Sequence, residues 1–271
     1  MENNGGPANG SAKGKKTPIL KSVNKAFEVL DCFKHNSSDY SINELARKLR
    51  VSKGTIHRII ITAQKCGYIE QNPETQRYQL GMKVFELGSV VAKRMNLRDE
   101  AKPFIKKLSE LTGETSYIVI RNGYEAVGID RVEGHNYLRM LFLEIGKTMP
   151  LYIGAGPKIL LAYMNDDEIE KYFKKSELTR WTEHTVVDPE KIWEDISTIR
   201  EQGFALSIED VTMGAAAVGA PIRNEHEKVI GAVSISGSNI HYEGENLVRL
   251  IEAVKNAGVE ISRRMGYLND L

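Results

Sequence analysis

The sequence predicts an α+β chain in two domains, an N-terminal winged helix-turn-helix and a C-terminal domain whose antiparallel sheet is flanked by helices. Three observations predict it. The stretch from Ser41 to Leu80, SINELARKLRVSKGTIHRIIITAQKCGYIEQNPETQRYQL, carries in order the signals of a short helix, a turn, a second helix and a hairpin. Charge is split, with 13 Lys or Arg against 7 Asp or Glu in residues 1–81 and 24 against 29 in residues 82–271. Beyond Gly113 the apolar spacing changes from a helical period to strand alternation mixed with short helices.

Residues 1–18, rich in Gly, Asn and Lys and without apolar periodicity, are expected to form a disordered basic arm. The first domain, residues 19–81, opens with SVNKAFEVLDCF, where Val23, Ala26, Phe27, Leu30 and Phe33 share one face of a helix that would pack beneath the next two. Ser41, with Glu44 three residues later, is a capping box, and Ile42, Leu45, Ala46 and Leu49 form the apolar face behind it. Ala46 is small enough to let a second helix cross closely, and Arg50-Val51 turns the chain before Ser52 offers the next cap.

In the second helix Ile56, Ile59, Ile60 and Ala63 form the buried stripe, which turns Ser52, Lys53, Thr55, His57, Arg58 and Thr62 outward. Short hydroxyl and long basic side chains at the start of such a helix suit the base edges and phosphates of a major groove. The candidate contacts to double-stranded DNA are therefore Ser41, Ser52, Lys53, Thr55, His57 and Arg58, with Arg77 of the wing placed to meet a phosphate. Tyr68 to Glu70 and Arg77 to Leu80 read as the strands of that wing, around the turn Asn72-Pro73-Glu74. A small basic domain joined to an acidic one is what phosphate-driven affinity requires, because released counterions supply the non-specific part of DNA binding.

A linker helix is expected over 82–96, with Val84, Leu87, Val91 and Met95 in a stripe that could pair with its twin in a homodimer or homotetramer. The effector and oligomerisation domain, residues 97–271, would begin with a helix that carries Pro103 near its start and Leu108 and Leu111 on its buried face. SYIVIRNGYEAVGIDRVEG is a hairpin about Asn122-Gly123, and Tyr137 to Leu143 is a third strand candidate. Helices follow at Gly156 to Met164, Asp166 to Lys175 and Pro189 to Gln202. Strands at Phe204 to Ile208, Ala215 to Ile222 and Val229 to Gly237 complete the sheet, and Glu245 to Met265 closes the chain.

Cys32 and Cys66 are the only cysteines, too few for a zinc site, and there is no signal peptide and no long apolar run. A reduced, cytosolic chain with no membrane association, no metal and no cofactor is the expectation.

Several separated pieces, SVNKAFEVLDCF, LARKLRVSKGTIHRII, LYIGAGPKILLA, GFALSIEDVTMGAAAVGAPI and AVSISG, resemble in content and order the IclR-type transcriptional regulators. The resemblance covers the chain from about Ser22 onward and implies a winged helix followed by a GAF-like effector domain. In the turn and recognition helix the family usually has Gly, Pro and Ser where this chain has Arg50, Ser52 and Gly54, while Thr55 and Arg58 keep the family's Thr-x-x-Arg. The family's effector loop, with His, Thr-Ala and Gly-Lys-Ala, reads here Tyr152, Gly154-Ala155 and Pro157-Lys158-Ile159.

By that resemblance Gly154, Ala155 and Gly156 would face a small carboxylic or aromatic acid at a helix N-terminus, whose free amides and positive dipole end suit a carboxylate. Ser234 and Ser236, two apart on a strand, point to one face and can bind a polar ligand together. Glu209 and Ala217 come from the same matching run, and Met140 with Phe142 would supply an apolar wall. Operator binding that responds to this acid, on a palindromic site, is the implied behaviour.

Two other classes compete with that expectation. An enzyme would need a nucleophile or ligand set, yet the second domain lacks cysteine and its His135, His184, His226 and His241 have no matching spacing. A DNA-bound structural protein whose second domain only oligomerises would show no ligand-dependent stability, whereas a sensor gains about 2.7 kcal/mol at a hundredfold excess of ligand over its dissociation constant.

Overall fold

The computed structural model describes residues 20–34, 39–93, 96–136 and 144–268. The N-terminal arm and the strand expected from Tyr137 to Leu143, Met140 and Phe142 included, lie outside the described residues. Contacts divide the chain into two units, Met1–Leu87 and Gly88–Leu271.

In the first unit, α1 (Lys21–Asp31) leads through a 3₁₀ turn to α2 (Ile42–Leu49), α3 (Lys53–Lys65) and a hairpin of β1 (Ile69–Gln71) and β2 (Tyr78–Leu80). The capping box forms: Ser41 caps α2 with both reciprocal bonds to Glu44. Val29, Leu45, Ile56 and Ile60 are fully buried and make the centre of the core, joined by Ile69 and Tyr78. The face expected for α1 needs correcting, because Val23 and Phe27 are 46% and 60% exposed. Val29 takes the inner place on the helix, joined by Cys32 and the expected Phe33 of the following 3₁₀ turn, and Leu30 packs at their edge as expected.

Arg50 ends α2 in the left-handed region at φ 52°, and its backbone turns the chain toward Ser52. The wing gains a third short segment, because Tyr40 and Tyr78 exchange both backbone hydrogen bonds at 2.8 Å. Asn72 closes its tip by accepting from the amides of Glu74 and Thr75 at 2.9 and 3.1 Å.

The division between the units falls inside α4 (Met82–Lys93). On this helix Val84 is half-buried and Leu87 is exposed, and Met82 and Phe85 are also exposed. The side chains of Val91 and Met95 lie outside the described residues.

The second unit continues with α5 (Asn96–Thr112), β3 (Thr115–Asn122), β4 (Glu125–Val132), β5 (Thr148–Pro150), α6 (Ala155–Ala162), α7 (Asp166–Lys175) and α8 (Pro189–Gln202). It ends with β6 (Ala205–Ile208), β7 (Ala215–Arg223), β8 (Val229–Ser238) and α9 (Gly244–Arg264). The six strands lie in the order β5-β4-β3-β8-β7-β6, each neighbouring pair antiparallel. Period-two alternation gives the sheet two apolar faces. One packs against α5 and α9 through Ile105, Ile118, Val233, Ile235 and Val254. The other packs against α6, α7 and α8 through Val119, Ala217, Ile159, Tyr172 and Ile196. On α5, Leu108 is buried as expected, but Leu111 is 60% exposed and Thr112 takes the inner position. Among the described residues no helix is long and apolar enough to cross a membrane.

Candidate functional site

Most of the residues expected to contact DNA lie on the first two turns of α3 and at its N-cap. Lys53, His57 and Arg58 are exposed and Thr55 is half-buried. Ser52 is the N-cap: its hydroxyl oxygen accepts the Thr55 amide at 3.3 Å and lies 2.9 Å from the Thr55 hydroxyl. Two other expected contacts are placed differently. The Ser41 hydroxyl donates to Glu44 at 2.8 Å while accepting the Glu44 amide, so it is spent on capping. Arg77, expected to be open to a phosphate, instead donates to Asp39 Oδ1 and Glu44 Oε2, both at 2.8 Å. The amide and hydroxyl of Ser41, and then Arg77, favour the charged carboxylate and hold Glu44 below its ordinary pKa. The wing is thereby tied to the cap of α2.

In the second unit a cavity of about 40 Å³ opens between the start of α6 and the middle of the sheet. Such a volume holds roughly two or three waters, the scale of a very small ligand. Gly154, Ala155 and Gly156 form one wall, with Gly154 as the N-cap of α6 at φ 78°. The first-turn amides of a helix have no partner within it, which makes this wall a hydrogen-bond donor. Ser234 and Ser236 stand on the cavity side of β8, and Ser236 Oγ donates to the Tyr117 oxygen at 3.2 Å. Burial holds the Tyr117 phenol above its ordinary pKa, so it stays protonated. Ala217 of β7, Val119 of β3, Met149 of β5 and Val211 complete the apolar lining.

Six of the nine expected effector residues thus line one cavity: Gly154, Ala155, Gly156, Ala217, Ser234 and Ser236. Met140 and Phe142 lie outside the described residues. Glu209 is not in the lining, because its carboxylate accepts from the Gly214 amide at 2.6 Å and Asn239 at 3.0 Å, and meets His184 at 3.3 Å. Glu209 adopts φ 58°, which ends β6 and turns the chain.

Its neighbour Asp210 takes the inner place, 4% exposed, and was missed from sequence. Both acids lie beyond the end of β6, and the left-handed turn at Glu209 is what aims Asp210 inward. Asp210 Oδ1 accepts from Ser207, and Oδ2 accepts the Gly154 amide at 3.3 Å and lies 3.3 Å from Lys158 Nζ. Lys158 also reaches Asp195 Oδ2 at 3.0 Å. Burial alone would depress the Lys158 pKa, but Asp210 and Asp195 together outweigh it and hold the ammonium above its usual value.

Two family models match the chain. The helix-turn-helix domain model of the IclR group matches residues 22–73, and the model described as the C-terminal region of the bacterial transcriptional regulator IclR matches residues 89–263. The chain is 32% identical to the HTH-type transcriptional regulator XynR of Escherichia coli, over 92% of this chain and 99% of that protein. It superposes on the crystal structure of the Thermotoga maritima IclR with a TM-score of 0.71 at 32% identity, covering 91% of this chain and 99% of the other. A structure of an IclR homologue from Microbacterium hydrocarbonoxydans, complexed with 4-hydroxybenzoate, shares the fold with a TM-score of 0.79 at 21% identity, covering 90% and 99%.

Proposed function

The chain belongs to the IclR family of bacterial transcriptional regulators, and from that membership we propose that it is a DNA-binding regulator whose hold on a palindromic operator is set by a small carboxylic or aromatic acid. The observation that carries the proposal is the cavity, where first-turn amides of α6 meet Ser234, Ser236, Ser207 and Asp210 inside a largely apolar lining. Convergent polar groups in a concave, mostly apolar pocket are the mark of a small-molecule site. The 4-hydroxybenzoate held by the Microbacterium relative supports an acid of this general kind.

In this reading a homodimer or homotetramer presents two copies of α3 to successive major grooves, with Lys53, Thr55, His57 and Arg58 at the interface and Ser52 setting the helix start. Exposed Met82, Phe85 and Leu87 on α4 give the helix an apolar side for pairing with a second copy. The acid binds one arrangement of the two DNA heads better than the other, and its differential affinity moves the population between them. A chain truncated after Gly81 would bind DNA without responding to acid.

Selection from a random duplex pool with the full-length protein, repeated in the presence of small carboxylic and aromatic acids, tests the reading. An enriched palindrome whose recovery changes with the acids is expected. No enrichment under either condition would overturn operator recognition, and enrichment indifferent to every acid would leave a regulator that does not sense.

A further inference from the structure

Two residues about the turn between α2 and α3 break local rules in opposite directions. Arg50 holds φ 52° and ψ 45°, a left-handed conformation that suits glycine and strains any residue with a side chain. Farther on, Gly54 lies in the first turn of α3, where alanine would make the better helix. A Cβ built on Gly54 meets nothing within 4 Å among the described residues, so no packing inside this unit calls for a bare position there. Folding alone would favour glycine at 50 and a side chain at 54.

The backbone at Arg50 is fixed from both sides. Its amide bonds to the carbonyls of Ala46 and Arg47, the Val51 amide donates to Ala46 at 3.1 Å, and Ser52 caps α3. The guanidinium gives nothing back to this turn, because it is exposed and among the described residues makes no hydrogen bond or ion pair. The side chains of Arg47 and Lys53 are equally exposed and unpaired among the described residues, whereas Lys25, Arg77 and Lys83 of this unit each hold a carboxylate. A cation at the end of α2 eases its dipole, but Arg47 and Lys48 in the last turn already serve that purpose.

One partner accounts for both departures: a phosphate on a backbone that comes close to the start of α3. The guanidinium fork matches phosphate oxygens. The amides of Lys53 and Gly54 are first-turn donors at the positive end of the α3 dipole, and a residue without Cβ lets a phosphate reach them.

We propose that the turn between α2 and α3 is a phosphate clamp for duplex DNA, in which Arg50 grips a backbone phosphate and the unshielded amides of Lys53 and Gly54 receive it. The inference rests on the DNA-binding reading and deepens it by assigning contacts that position the duplex and carry no base information. The strain at Arg50 and the bare turn at Gly54 are stability given up for affinity.

The test titrates full-length native protein, Arg50→Gly, Arg50→Lys and Gly54→Ala with a short duplex of random sequence and with any palindrome enriched by selection, each over a salt series. Thermal unfolding of every variant is followed in the same buffers. Arg50→Gly is expected to bind about fivefold to tenfold more weakly per winged helix at physiological salt, with the slope of log affinity against log salt shallower by about 1. The loss is the same on both duplexes, and the variant unfolds at no lower temperature than the native chain. Arg50→Lys keeps most of the slope, and Gly54→Ala weakens binding while its helix is stabilised. A variant that is more stable and binds less cannot owe the loss to misfolding. Unchanged affinity in either Arg50→Gly or Gly54→Ala overturns the clamp and leaves the DNA-binding reading standing. A loss confined to the palindrome makes Arg50 a reader of bases and overturns the clamp as well. A native chain with no salt-dependent affinity for any duplex overturns the DNA-binding reading itself.

Discussion

The carboxylate of Glu114, in the bend that leads from α5 into β3, fills the space that a side chain on Gly237 of β8 would need, so the two residues form one packed unit. Glu114 is 1% exposed, and its Oε1 accepts from Asn136 at 2.9 Å and lies 2.8 Å from His241 Nδ1. Burial, and then the charge of Glu114, push the phenol of Tyr242 well above its usual pKa. Gly237→Ala should therefore destabilise the second unit by about 1 to 3 kcal/mol through overpacking against a buried carboxylate whose Oε1 is held by Asn136 and His241. Urea unfolding of the variant beside the native chain checks it, and an unchanged midpoint would refute the packing claim.

Arg50 holds φ 52° at the end of α2 without the freedom of glycine. The left-handed region costs an L-residue about 1 to 2 kcal/mol, of which glycine's larger unfolded entropy returns roughly half. Arg50→Gly is expected to raise stability by about 0.5 to 1 kcal/mol, read from thermal unfolding of the first unit's transition.

Capping and DNA contact can be separated experimentally. Ser41→Ala should cost about 1 kcal/mol of stability while leaving the salt dependence of DNA binding unaltered, because its hydroxyl is engaged by Glu44. Arg58→Ala should keep stability and lose about 1 to 3 kcal/mol at the operator, with discrimination relaxed at one base position. Binding isotherms over a salt series distinguish the two. A steeper loss of affinity for Ser41→Ala than for Arg58→Ala would reverse the assignment.

Lys158 provides a pH test. Its ammonium is held above the ordinary value of 10.5, so its contribution to stability is fully present below that pH and lost as pH rises through the folded-state value. Lys158→Met, which strands Asp210 and Asp195 without their cation, should cost about 3 to 5 kcal/mol near neutrality. The gap between native and variant then narrows above pH 10.5. Unfolding curves between pH 7 and 11 measure it, and a gap independent of pH would remove the ion pair from the account.

Most of the architecture was legible in residues whose signals are local. Ser41 with Glu44, Asn165 before the acidic turn of α7, and Asp188-Pro189 at the start of α8 each write a helix start into the chain, and the structure caps all three helices there. What escaped depends on groups brought together from far apart. Arg77 is drawn from its expected phosphate by Asp39, 38 residues away, and Glu44, 33 residues away. The inner place of Val29 on α1 follows from how α2 and α3 offer their hollow, which its own periodicity does not encode. The inward turn of Asp210 follows from a left-handed residue at Glu209, where a glycine would have announced the turn. β5, three residues long, has too little alternation to be read at all.

β8 has one further implication. Near its start Gly231 sits beneath Leu97 in the first turn of α5, where an added Cβ would come within 2.9 Å of Leu97 Cδ2. Farther along, Ser234 and Ser236 of the same strand form the wall of the cavity. One continuous backbone thus serves as a beam, with the wall of the cavity at one end and the root of a helix resting on the other. A ligand that displaces this beam alters the seat of α5 without any intervening relay, and a substitution that wedges Leu97 off Gly231 would in turn change what the cavity accepts.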